Sequence, residues 1–136
     1  MNKHLALAIF CLSLAPHFAA AADEWVQIGA ESEASTAYVE IERTTAIRHG
    51  ALAQALIRYV WREPVPVPFK QGSTYRLAIV LTEFDCERNT AREVRVTRYA
   101  DLTDRRPVDD SPPQTPITRV LPKTVNARAM AIACKA

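Results

Sequence analysis

The stretch Tyr75-Arg76-Leu77-Ala78-Ile79-Val80-Leu81-Thr82-Glu83-Phe84-Asp85-Cys86, followed after a short polar break by Arg92-Glu93-Val94-Arg95-Val96-Thr97-Arg98-Tyr99, reads as two β-strands joined in a hairpin. Charge argues a register. With Asn89-Thr90 as the turn, Glu87 faces Arg92 and Glu83 faces Val96. A slip of one residue either way sets Arg88 against Arg92 or Asp85 against Glu93, and like charges directly opposite are unfavourable. In this register Phe84, Val80 and Ala78 share a face with Cys86. Leu77, Ile79, Leu81, Val94 and Val96 line the other face, and Arg95 points away from Arg92 and Arg98.

Working outward, further short runs carry strand character: Trp25 to Ile28, Ala37 to Glu42, Ala51 to Arg62 and Ile117 to Leu121. Ala37 to Glu42 alternates with period two, which puts Val39 and Ile41 on one face. Leu52 to Trp61 has the Ala, Leu and Gln content of a helix. Yet Ile57, Tyr59 and Trp61 recur at every second position after Gly50, so a strand is expected there. Glu63-Pro64-Val65-Pro66-Val67-Pro68 lacks amide donors at three positions and is expected to be a stiff extended connection. Arg105 to Pro116, with four prolines, reads as a surface loop. The last segment changes period: Thr124 is an N-cap candidate, and Val125, Ala129, Ile132 and Ala133 fall on one face of a helix from about 125 to 134. The fold expected is α+β, an antiparallel sheet of about six strands with a C-terminal helix. A helix tethered through Cys134 would cover the Phe84 face, where Ala78 leaves room for its backbone. The opposite apolar face is then the place for a second copy in a homodimer.

The 136 residues are 49% hydrophobic and 24% charged, which excludes disorder, collagen and coiled coil. Lys and Arg number 17 against 15 Asp and Glu, too small an excess for a nucleic-acid footprint. Met1 to His4 followed by the apolar run Leu5 to Ala15 and by Ala20 and Ala22 reads as a secretory signal at residues 1–22, cleaved before Asp23, with the remaining domain at 23–136. The run is shorter than the about 20 residues a membrane span needs. Lipid attachment at Cys11 is not expected, because bulky Phe10 precedes it within the apolar run. The expected location is therefore the periplasm or the cell surface, without an anchor.

Export leaves Cys86 and Cys134, a single possible pair. The alternatives to a structural disulfide are a reactive thiol pair, which normally reads C-x-x-C, and two metal ligands, for which the exported chain offers only His49 as a partner. A disulfide is the expected state, with no metal and no cofactor. The carboxylate pairs Glu40/Glu42, Glu83/Asp85 and Asp109/Asp110 are read as charge balance, His49 has no triad partner at a motif spacing, and no nucleotide or nucleophile-elbow motif is present. No enzyme is expected. Six arginines, Arg88, Arg92, Arg95, Arg98, Arg105 and Arg106, stand against Glu93, Asp101 and Asp104 and form the candidate binding patch for an acidic partner.

The order of features resembles the surface-adhesin protein E family of Gram-negative bacteria. The residues that carry the likeness are Trp25, Tyr38-Val39-Glu40 leading to Ile47 and Gly50, and Trp61. They continue with Glu83-Phe84-Asp85-Cys86, Arg88, Arg92 and Tyr99, and end with Pro122-Lys123-Thr124 before a helix ending in Cys134. The chain departs from the pattern at Asp101 to Asp104, at Arg119-Val120-Leu121 and at Phe10-Cys11. The resemblance implies a sheet with a disulfide-tied C-terminal helix and a non-enzymatic role in binding host matrix proteins, and the local positive charge of the arginine segment adds acidic glycans as expected partners. A soluble periplasmic interaction or envelope-maintenance role is the alternative.

Overall fold

The computed structural model describes residues 24–29, 36–43, 45–113 and 115–136, and the signal expected at 1–22, with Ala20, Ala22 and Cys11, lies outside them. The described strands are β1 (Trp25–Gly29), β2 (Thr36–Glu42), β3 (Ile47–His49), β4 (Leu52–Pro66), β5 (Thr74–Asp85), β6 (Thr90–Tyr99), β7 (Asp109–Ser111) and β8 (Thr118–Arg119), followed by helix α1 (Val125–Ala133). They form one antiparallel sheet in the order β1-β2-β4-β5-β6-β7, with β3 added to β4 and β8 to β6. The architecture is the α+β one expected, enlarged by β3 and β7.

The β5–β6 register differs from the expectation. Asp85 pairs with Thr90, Phe84 with Ala91 and Glu83 with Arg92, so the turn is Cys86 to Asn89. Local hydrogen bonding decides this. The Asp85 Oδ1 accepts from the Glu87 and Arg88 amides at 3.1 and 2.9 Å, and Asn89 takes the left-handed φ of 55° that asparagine tolerates. The register also puts Glu83 and Arg92 in ion-pair contact at 2.6 Å. A bulge then inserts Val94 on β6, since Leu81 pairs with Arg95 and Thr82 with Glu93. Beyond it Val96 faces Val80, so Val96 leaves the Leu77 face to which the simple register assigned it. For the same reason Arg95 shares a face with Arg92, and Arg98 is the one on the opposite side.

Two other expectations are corrected. The proline stretch does not leave the sheet at Arg62: β4 runs to Pro66, and Val65 and Pro66 pair with Tyr75 and Thr74 after an interruption beyond Val60. Among the described residues β2 accompanies β4 only as far as Trp61, so the missing proline amides lie where one side of the strand has no neighbour. The Arg105–Pro116 segment is not all loop, because Asp109–Ser111 pairs with β6 as β7.

Leu52 to Trp61 is strand, and its inward alternation builds the core. Ile41, Ile57 and Phe84 are fully buried in one cluster with Ala53, Ala55, Ala91, Val125, Ala129 and Ala133. The alanines let α1 approach the sheet closely over Phe84. Ala78 lies outside this cluster. It packs with Val80 and Val96 against Tyr59, Trp61 and Tyr75, so aromatic rings rather than the helix cover it. Thr124 caps α1 as expected, its Oγ1 accepting from the Ala127 amide at 3.2 Å. At the other end the Cys86–Cys134 disulfide joins the turn to the helix, with the Cα atoms 5.9 Å apart, and the Arg48 guanidinium donates to the Cys134 carbonyl at 2.6 Å. At Gly29, φ is +133° and a Cβ would come within 2.4 Å of the Arg128 guanidinium, which donates to the Ile28 carbonyl and joins β1 to the helix.

Candidate interaction surface

Strand pairing puts Glu40 beside Arg58, Arg58 beside Ile79, Leu56 beside Leu81, Leu81 beside Arg95 and Glu83 beside Arg92, all on the face opposite α1. The half-buried Leu56, Ile79 and Leu81 form its apolar centre. Charged side chains surround them. Arg58 pairs with Glu40 and lies over the Trp25 ring at 4.4 Å. Glu83 accepts from Arg92 and, at 2.9 Å, from Gln54. Arg95 makes a two-pronged pair with Asp110, which also accepts from Thr97 at 3.1 Å.

The six arginines of the candidate patch therefore divide. Arg92 and Arg95 lie on the uncovered face. Arg88 sits in the turn, 84% exposed, and contacts Asp85 at 3.4 Å. Arg98 is on the helix side, bonded to Asp109 at 2.5 Å with its guanidinium 5.4 Å from the Tyr75 ring centre. Arg105 and Arg106 are exposed on the β6–β7 connection, and among the described residues neither side chain has an ion pair or hydrogen bond. Adjacent acids on a strand point to opposite faces, which is how Asp109 and Asp110 reach Arg98 and Arg95 separately. The prolines around them conceal that arrangement in the sequence. The Arg58–Glu40 pair over Trp25 was equally hidden, since only the β1–β2–β4 pairing brings the three together.

Two of the carboxylates, Asp85 and Asp110, are held in the charged state. Asp85 titrates below its ordinary 3.8, chiefly because the Arg88 amide donates to it. Asp110 is also lowered, first by the hydrogen bond from Arg95. Both carboxyls move in the same direction.

Two open grooves lie along β6, the first on this face and the second on the helix side. One of about 290 Å³ is lined by Leu52, Glu83, Asp85, Arg88, Arg92 and Ile117. Another of about 530 Å³ lies beside Phe69, Val96, Arg98, Pro112 and Pro113. Among the described residues no three His, Cys, Asp or Glu side chains cluster as metal ligands, and no helix is long and apolar enough to cross a membrane. The family model described as surface-adhesin protein E matches residues 25–135. No curated protein and no solved structure matches the chain.

Proposed function

The chain belongs to the surface-adhesin protein E family, and from that premise we propose that it is an exported, non-enzymatic binding module for host extracellular-matrix proteins or acidic glycans. The observation that carries the reading is the extent of the match, which runs from the first residue of β1 to the residue after Cys134, the disulfide cysteine that follows α1. The arginine arrangement supports it. The uncovered face pairs each arginine with a carboxylate, so an acidic partner exchanges ion pairs there, while Arg105 and Arg106 meet it without displacing an internal partner.

Immobilised laminin, vitronectin and heparin, titrated at two salt concentrations, test the proposal. Binding is expected to weaken steeply with salt, because exposed charges are screened beyond about 10 Å at 0.1 M. Two double variants, R92S/R95S and R105S/R106S, distinguish the sheet face from the loop. Binding that is insensitive to salt and equal in all three proteins removes the arginines from the site and moves it to Leu56, Ile79 and Leu81, where a second copy of the chain is the other occupant. No binding to any of the three ligands favours the periplasmic interaction role, for which Phe10 before Cys11 is the supporting feature. Protease accessibility on intact cells separates the two locations.

A further inference from the structure

The β4–β5 connection ends in a feature that the fold does not use. Val67 is buried and bonded to Ser73 through its amide, and Lys70 and Ser73 close the turn at 3.2 and 3.3 Å, so the loop has its own backbone hydrogen bonds. The Lys70 ammonium also donates to the Val108 carbonyl, tying this turn to the β6–β7 connection. On this fastened turn Phe69 is 95% exposed and has φ of 60°. A bulky residue in the left-handed region is strained, and glycine or asparagine would occupy the position more comfortably. The strain brings no intramolecular packing in return. A side chain both strained and solvent-exposed points to an external contact.

The surroundings indicate its chemistry. The β4–β5 and β6–β7 connections emerge at the same end of the antiparallel sheet. That end carries a second exposed apolar side chain, Leu102, and the exposed cations Arg62, Lys70, Arg105 and Arg106. Of the nearby acids, Asp101 contacts Arg76 at 3.7 Å and the Asp104 carboxylate accepts from the Asp101 amide at 3.1 Å, which leaves Glu63 as the exposed acid set against Arg62, Lys70, Arg105 and Arg106. Phe69 stands at the rim of the groove bounded by Pro112 and Pro113, and with Leu102 it makes a small apolar tip, narrower than the patch a protein hot spot requires. A small apolar tip with cations around it matches the layering of a bilayer surface, where an aromatic ring enters the acyl boundary and cations meet anionic headgroups. We propose that this end of the sheet docks on anionic lipid surfaces by inserting Phe69. The inference goes beyond the matrix-binding reading and does not depend on it.

The test is sedimentation of the full chain with vesicles of phosphatidylcholine alone or containing phosphatidylglycerol. Wild type and variants share one amino terminus, so their difference reads the tip. F69G removes the ring and relieves the strain, so its melting temperature is expected to be no lower than wild type while its affinity for anionic vesicles falls roughly tenfold, in line with partial burial of one Phe. R105S/R106S is expected to weaken binding about thirtyfold, the effect of two cations near a charged surface, and to leave the weaker binding to neutral vesicles unchanged. F69W adds a direct readout: its extra emission shifts to the blue on anionic vesicles and is quenched by lipids brominated on the acyl chain. Equal vesicle binding by wild type and F69G overturns the proposal, as does equal binding to neutral and anionic vesicles. Loss of matrix-protein binding in F69G, with vesicles ignored by wild type, makes Phe69 an anchor for a protein pocket and also overturns it.

Discussion

Replacing both Cys86 and Cys134 with serine tests the physical account of the helix. The bridge closes a loop of about 49 residues, for which the chain-entropy estimate is roughly 4 kcal/mol. The native side adds little to resist its loss. Helix α1 has nine residues, fewer than an isolated helix needs in water, and the side chains it buries are one valine and two alanines. Beyond these, the partly buried Ala127, Met130 and Ile132 pack on the core, and the Thr124 cap, the Arg48 bond to the Cys134 carbonyl and the Arg128 bond to Ile28 hold the helix. Engineered and native bridges usually deliver less than the entropy estimate, so the expected loss is about 2–4 kcal/mol, a large part of the net stability of a domain this size. Thermal denaturation by circular dichroism should then show a midpoint lowered by roughly 8–20 °C, and wild type should show the same shift under reductant. Hydrogen exchange resolves the location: the Ala129 and Ala133 amides should lose protection before those of β5. A midpoint within about 2 °C of wild type, or helix amides still as protected as the central strands, would refute the reasoning.

Phe84→Ala leaves a cavity walled by Ala53, Ala91 and Ala133, which are too short to fill it, and should cost about 3–5 kcal/mol in denaturant unfolding. Thr124→Ala removes the helix cap and should cost about 1 kcal/mol, with Thr124→Ser recovering most of it. The lowered Asp85 and Asp110 carboxyls contribute stability that is present above the ordinary aspartate range and is lost as pH falls through their folded-state values. Carbon-detected titration should therefore place both midpoints below 3.8. Arg95→Gln should return Asp110 towards that value and leave Asp85 unchanged, since the Asp85 shift comes mainly from a backbone amide.

Much of this fold could be read locally. Period-two alternation in Ala37–Glu42 and in Leu52–Trp61 marked strands, because a half-buried strand must alternate. A capping Thr124 ahead of apolar residues at helical spacing marked α1. With Cys11 assigned to the expected signal, the two cysteines left have one way to pair. The strand and helix signals were legible because each is imposed by neighbours a few positions away in the chain, and the family likeness rested on the order of such local features.

What the sequence alone could not determine is which side chains meet across strands. The hairpin register followed from the Asp85 carboxylate accepting two turn amides and from the conformation of Asn89, a choice that counting charges across an assumed turn does not include. The bulge at Val94 then reversed the side of every later β6 residue, which moved Val96 into the aromatic cluster and put Arg95 beside Arg92. β7 was hidden because its pairing depends on β6 being present as an edge. The candidate surface is composed of such pairs: Arg95 with Asp110, Arg98 with Asp109, and Arg58 between Glu40 and Trp25. Composition and periodicity specify which residues a strand turns inward. Only the assembled sheet specifies which charge each outward residue faces, because that depends on register, and register is settled by a few turn and bulge contacts far from the charges it brings together.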